Sequence, residues 1–356
     1  MYLLLSGQRR QKAFFLKIVE RLNLSMEQAK LKESLPLKDG SRELLRYEFL
    51  KQEGLDKHDL IPVAADWSQR RYFRLPHAIL MDAPPPGEGT PQFEKVATLL
   101  KSTKLSIPEI YAVDHTHGFL LLEDFGDLTY RQALQQGEDE PTLYKEVVMS
   151  LAHLHEQSFP KDKAGDIPTY GLELFLEKVN LFLEWAPFSF SKTAKQDFLG
   201  LWEEAYNNQP TLPQSLMLRD VMVNNLFWLP ERKEFQRCGF IDFQDASWGP
   251  LSYDLVSVLE DIRRDDLPPS FIHTIIEGYL KIFPAIPPEE FWDSYFLWGA
   301  QRTTRIIGTF YRLVKRDGRE LDRAYLPRLW RLLYRHLTSS PLKGLSAWFK
   351  AQGILT

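Results

Sequence analysis

The spacing of apolar positions changes character twice along the chain. Residues 8 to 34 are mixed in charge, but Phe14, Phe15, Ile18, Val19 and Leu22 fall at helical intervals and predict a helical N-terminal extension. Ser41 to Leu50 reads as a second amphipathic helix, with Ser41 as its N-cap. From Leu60 the texture shortens. Ile61 to Ala65, Tyr72 to Leu75 and Ala78 to Met81 are brief apolar runs separated by turn residues, which predicts strands. The stretch from 84 to 91, PPPGEGTP, is a loop. Phe93, Val96, Ala97 and Leu100 then recur on one helical face. Ile110 to Val113 and Phe119 to Leu122 predict a strand pair joined across Asp114 to Gly118. From residue 129 the pattern is mainly helical, interrupted by one β island between Leu216 and Phe243. The layout is thus an α+β chain with an extension over 1–40, a small sheet-bearing part over 41–125 and a larger helical part over 126–356. No internal repeat or low-complexity tract is visible.

Composition narrows the class. At 356 residues, 44% hydrophobic and 26% charged, the chain is ordinary globular material, long enough for two lobes around a cleft. A net charge of -4 gives no reason to expect a nucleic-acid or anionic-membrane partner. One cysteine, Cys238, excludes an intrachain disulfide framework. It sits beside the apolar run Gly239-Phe240-Ile241, as a buried structural thiol does. No segment has the roughly 20 apolar residues of a membrane span. The start, MYLLLSGQRRQK, puts its basic residues after the apolar run, the reverse of a secretory signal. A cytoplasmic location is the expectation.

The polar residues of the β island carry the chemistry. Leu218-Arg219-Asp220 is followed by Asn225, an Arg-Asp pair with an amide five positions beyond the carboxylate. Phosphoryl transfer needs a carboxylate that orients the attacking hydroxyl and hard oxygen ligands for Mg²⁺. Asp220 and Asn225 on one loop can supply both. By itself this spacing is also that of a solvated loop with an Asx turn. After a turn at Pro230 to Glu234, the apolar Cys238 to Ile241 run ends in Asp242-Phe243 and sets a third carboxylate at a strand terminus. A hairpin over 218–242 would gather Asp220, Asn225 and Asp242. Asp254, in Tyr253-Asp254-Leu255, is either a plain helix N-cap or an acceptor for backbone N–H groups of the 218–225 loop.

This series resembles the aminoglycoside phosphotransferase/choline kinase superfamily, as does Leu151-Ala-His-Leu-His155. Arg70 to Leu75, Leu80 to Pro85, Asp242 to Ala246 and the run Gln301-Arg302, Ile307-Gly308, Arg312, Arg316 to Gly318, Leu326 to Arg328 and Trp330 are similar to one branch of it. That branch is the bacterial anomeric kinases of N-acetylmuramate and N-acetylglucosamine, which phosphorylate the C1 hydroxyl in cell-wall recycling. The resemblance spans about residues 42 to 350. It implies a protein-kinase-like bilobal fold, ATP and Mg²⁺ as cofactors, Asp220 as catalytic carboxylate and Asn225 and Asp242 as metal ligands. It also implies a hinge at Glu123, Asp124 and Phe125 whose backbone meets adenine. Two departures stand out. Leu218 replaces the usual loop-supporting His, and the strand over 78–82 lacks the customary phosphate-binding Lys. Arg70, Arg71 and Arg74, flanking a loop at Asp66 to Gln69, are the candidate replacements; a solvated basic turn is the alternative. Arg219 and Asp245 are candidate acceptor contacts. Glu94 would be the lobe-bridging glutamate, although its Lys partner is missing. His115, His117, His153 and His155 read as surface or packing residues rather than metal ligands. A kinase for an aminoglycoside or choline-like alcohol, or a non-catalytic nucleotide-binding pseudokinase, would share these features.

Overall fold

The structure, a computed structural model, describes residues 39–63, 70–86, 89–159, 167–264, 266–319 and 324–355. The expected helix over 8–34 and the loop at 66–69 lie outside them. The chain divides into two compact units, 1–58 and 59–356. The first contributes one described helix, α1 (Asp39–Gln52). Ser41 lies inside this helix instead of capping it.

The second unit opens with five short strands: β1 (Ile61–Val63), β2 (Arg71–Leu75), β3 (Ala78–Asp82), β4 (Ile110–Asp114) and β5 (Phe119–Glu123). They form one antiparallel sheet in the order β1-β2-β3-β5-β4. Leu80, Met81, Phe119 and Leu120 on the two central strands are fully buried. Helix α2 (Thr90–Lys101) buries Phe93, Val96, Ala97 and Leu100, the face its periodicity marks. The β4–β5 turn closes through the Gly118 N–H donating to Asp114 O at 2.8 Å. Gly118 has φ +76°, and a Cβ there would lie 2.0 Å from Ala83 O, so only glycine fits.

The rest is helical: α3 (Tyr130–Gln135), α4 (Glu140–His155), α5 (Leu172–Trp185), α6 (Lys192–Asn207), α7 (Ser252–Leu259), α8 (Pro269–Leu280), α9 (Pro288–Asp317), α10 (Tyr325–Leu337) and α11 (Lys343–Ala351). Its β island comprises two antiparallel ribbons. β6 (Gln214–Met217) pairs with β9 (Ser247–Pro250), and β7 (Leu226–Trp228) pairs with β8 (Cys238–Phe240). The long helix α9 packs along α5, α7 and α10. It approaches α5 so closely that a Cβ on Gly308 would sit 2.4 Å from Leu181 C and 2.5 Å from Phe182 N. Cys238 is buried in the core, as its apolar neighbours implied.

Candidate active site

The β7–β8 ribbon and the two loops flanking it build the site. Leu218 directly follows β6 and buries its side chain in the core, 2% exposed. The chain then reverses through Arg219 at φ +75°. A non-glycine residue in this left-handed region stores about 1–3 kcal/mol of strain and persists only where its surroundings hold it. Asp254, itself 1% exposed, provides the hold. Its Oδ2 accepts the Leu218 N–H at 2.6 Å and its Oδ1 the Arg219 N–H at 2.9 Å. It is the third residue of α7 and not its cap, which is Leu251. Burial pushes the Asp254 carboxyl up to about 7, against the pull of those two N–H groups. Farther along the loop, Asp261 Oδ2 accepts the Val223 N–H at 2.9 Å. The loop is therefore pinned at two points from α7 and the residues just after it. Leu218, in place of a supporting histidine, contributes a core side chain and a clamped backbone N–H.

The three expected residues come together. Asn225 Nδ2 donates to Asp220 O at 3.0 Å and to Asp242 Oδ2 at 3.3 Å. The Ile241 N–H donates to Asn225 O at 3.1 Å, extending the ribbon by one bond up to Asp242. Asp242 also has a positive φ, +61°. Phe243 next to it packs its ring 4.9 Å from that of Phe93 on α2, tying this carboxylate to the sheet-bearing lobe. Burial, with the negative charges of Asp220 and Asp245, raises the Asp242 carboxyl above its ordinary range. The Gln244 amide and the Arg70 charge oppose the rise. Gln244 Nε2 donates to Asp242 Oδ1 at 2.7 Å.

The three candidate phosphate cations separate. Arg70, 4% exposed, sets its NH1 3.6 Å from Asp242 Oδ1. Arg71 is exposed at the start of β2, opposite Asp82. Arg74 does not stand open to a phosphate. Its guanidinium is taken by Asp124 (2.7 Å), by Asp127 and by Gly126 O (2.9 Å), so it fastens the 124–127 loop instead. The side chains of the expected hinge are likewise engaged. Glu123 accepts Arg232 at 2.6 Å, Asp124 Oδ1 accepts the Gly126 N–H at 2.8 Å, and the Phe125 ring lies 5.6 Å from Phe227 and under Arg232. The Glu123 N–H is bonded to Glu109 O.

Arg219 stacks over the Tyr170 ring, 5.6 Å from its centroid, and donates from NH1 to Asp245 O at 3.1 Å. Glu94 pairs with His115 Nε2 at 2.8 Å rather than bridging lobes. His117 pairs with Asp114. His153 stacks on Phe235, and His155 is bonded to Tyr279 and pushed down to about 3 by burial, so both are packing residues.

A family model described as phosphotransferase enzyme family matches residues 59–292. Curated relatives include the N-acetylmuramate/N-acetylglucosamine kinase of Caulobacter vibrioides, 30% identical over 87% of this chain and 96% of its own length. The protein of the same name from Neisseria meningitidis is 32% identical over 81% and 89%. Among solved structures, a choline/ethanolamine kinase family protein from Mesorhizobium loti superposes with TM-score 0.60 at 13% identity, covering 87% of this chain and 99% of that one. A spectinomycin phosphotransferase bound to ADP and spectinomycin gives 0.57 at 13% identity, covering 89% and 100%. The fold is the expected α+β, bilobal, protein-kinase-like one. The chain belongs to the phosphotransferase enzyme family and is a kinase of that group.

Proposed function

We propose that this phosphotransferase uses ATP and Mg²⁺ to phosphorylate the anomeric hydroxyl of an amino sugar, N-acetylmuramate or N-acetylglucosamine, in cell-wall recycling. The observation that carries the reading is the convergence of Asp220, Asn225 and Asp242, the Asn225 amide bridging the Asp220 backbone carbonyl and the Asp242 carboxylate. The names of the full-length relatives at 30–32% identity support the choice of sugar.

Hard oxygen donors in a cluster of excess negative charge are what Mg²⁺ requires, and Asp242 with the Asn225 amide oxygen would hold it. A half-turn of that amide exchanges the nitrogen now facing Asp242 for its oxygen. When bound, the ion supplies charge neutralisation at the transferring phosphoryl oxygens. Arg70, beside Asp242, adds positive charge on the same side and takes the role of the Lys that β3 lacks. Asp220 is partly exposed and orients the acceptor hydroxyl, taking its proton as the oxygen attacks in line. Asp254 and Asp261 hold Asp220 in place through the loop backbone, so little rearrangement is needed at the moment of reaction. Backbone groups at 122–125 would meet adenine, with Arg74 and Arg232 keeping that segment in shape.

The test is phosphotransfer from ATP to each of the two sugars. Wild-type protein should form the 1-phosphate. Asp220→Ala should lose about 10²–10⁴-fold in kcat while keeping its circular dichroism. Undiminished turnover in that variant would remove Asp220 from the mechanism.

A further inference from the structure

The acceptor side of Asp220 holds arginine charge that has no direct hydrogen-bond or ion-pair partner among the described residues. On α9, Gln301 Nε2 donates to the Tyr170 hydroxyl at 3.0 Å, and the Tyr170 ring carries the Arg219 guanidinium. Arg305 lies one turn beyond Gln301 on the same face of the helix, and Arg302 lies between them. Arg302 is 4% exposed and Arg305 is partly buried. The Nε of each is buried without a hydrogen-bond partner among the described residues. A buried guanidinium with no carboxylate of its own is costly, and a ligand that brings an anion offsets the cost.

The surroundings indicate which ligand. Burial opposes the charge on Arg305, but Tyr253, Asp220, Tyr170 and Asp245 all favour it. The charges acting on Asp242 are Asp220, Arg70 and Asp245. Asp220 thus acts electrostatically both on Asp242, which Arg70 approaches, and on Arg305. Arg70 stands with the carboxylate assigned to the metal and phosphates, and Arg305 stands with the Tyr170–Tyr253 wall, whose rings are 5.9 Å apart. A polycationic or quaternary-ammonium acceptor would meet like charge here. An acceptor carrying a carboxylate would meet a fork of donors suited to it.

We infer that Arg305, backed by Arg302, binds the carboxylate of an acidic acceptor and makes the enzyme prefer N-acetylmuramate, with its lactyl carboxylate, over neutral N-acetylglucosamine. This rests on the amino-sugar reading above. Arg305 is here a specificity residue that touches substrate away from the reacting oxygen.

The experiment compares kcat/KM for the two sugars in wild type, Arg305→Gln and Arg305→Lys. Loss of a charge-assisted contact should lower the acidic-to-neutral ratio roughly 10- to 100-fold in Arg305→Gln. Arg305→Lys should restore part of it, since lysine keeps the charge without the fork. The methyl ester of N-acetylmuramate, tested on unmodified enzyme, should fall behind the free acid by a similar factor. This arm needs no variant to fold. Equal loss on both sugars, an unchanged ratio, or an ester used as well as the acid would each overturn the inference while leaving the kinase reading intact. Wild-type protein that phosphorylates neither sugar would remove both.

Discussion

Replacing Asp254 by Asn separates the charge of this residue from its role as a clamp. The carboxylate is 1% exposed and accepts two backbone N–H groups of the 218–225 loop. Burial raises its folded pKa to about 7 from an ordinary value near 4. Between those values the folded protein binds the proton more tightly than the unfolded chain, so stability falls as pH rises from about 4 to about 7. One unit is worth about 1.4 kcal/mol, and the three-unit window amounts to about 4 kcal/mol. Asparagine has no charge to bury and loses this dependence. It turns an NH₂ towards one of the two N–H groups, at a cost of about 1–3 kcal/mol at every pH. The stability of Asp254→Asn relative to wild type should therefore improve by about 2–3 kcal/mol between pH 5 and pH 8. Over the same range its kcat should stay about tenfold or more below wild type, because the strained turn at Arg219 is held by one bond instead of two. Urea unfolding of both proteins at the two pH values, with turnover measured alongside, gives the comparison. A stability difference that does not change with pH would show that the two N–H groups fully compensate the buried charge, and the reasoning would fail.

Two further outcomes follow from single contacts. Gly308→Ala drives a methyl group into the α5 backbone at Leu181 and Phe182 and should cost about 3 kcal/mol, seen as a Tm lowered by several degrees; a Tm within 1 °C of wild type would contradict the close approach. Arg70→Met removes the cation that counters the raised Asp242 carboxyl. The acid limb of the kcat/KM–pH profile should then move to higher pH and the KM for ATP should rise about tenfold, whereas an unmoved acid limb would detach Arg70 from Asp242.

What the sequence made legible was what short-range pattern controls. The β2, β3, β4 and β5 runs and the buried face of α2 follow from alternation and 3.6-residue spacing within a single element. Asp220, Asn225 and Asp242 were readable because one local ribbon, β7–β8, brings them together. β9 escaped notice because Ser247-Trp248-Gly249-Pro250 has no strand-like composition and owes its conformation to β6, some thirty residues earlier. Asp261 lies in the run 260–265, which resembles the amino-sugar kinases, but no local pattern shows that its side chain bonds Val223 thirty-eight residues away. Arg74 was indistinguishable from its basic neighbours until folding placed Asp124 and Asp127 against it. The positive φ values at Arg219 and Asp242 contradict local preference, as strained functional turns do.

The two clamps on the 218–225 loop come from residues seven apart in sequence. Asp254 lies in α7 and Asp261 just after it, and the carboxylate of each accepts main-chain N–H groups of the 218–225 loop. Loop and helix α7 thus behave as one solid part, like a tool fixed in its handle. Any opening and closing that admits substrate and releases product must then be taken up elsewhere. On the hinge reading proposed above, the Glu123–Gly126 segment takes it up, and the Arg74 and Arg232 contacts set its stiffness.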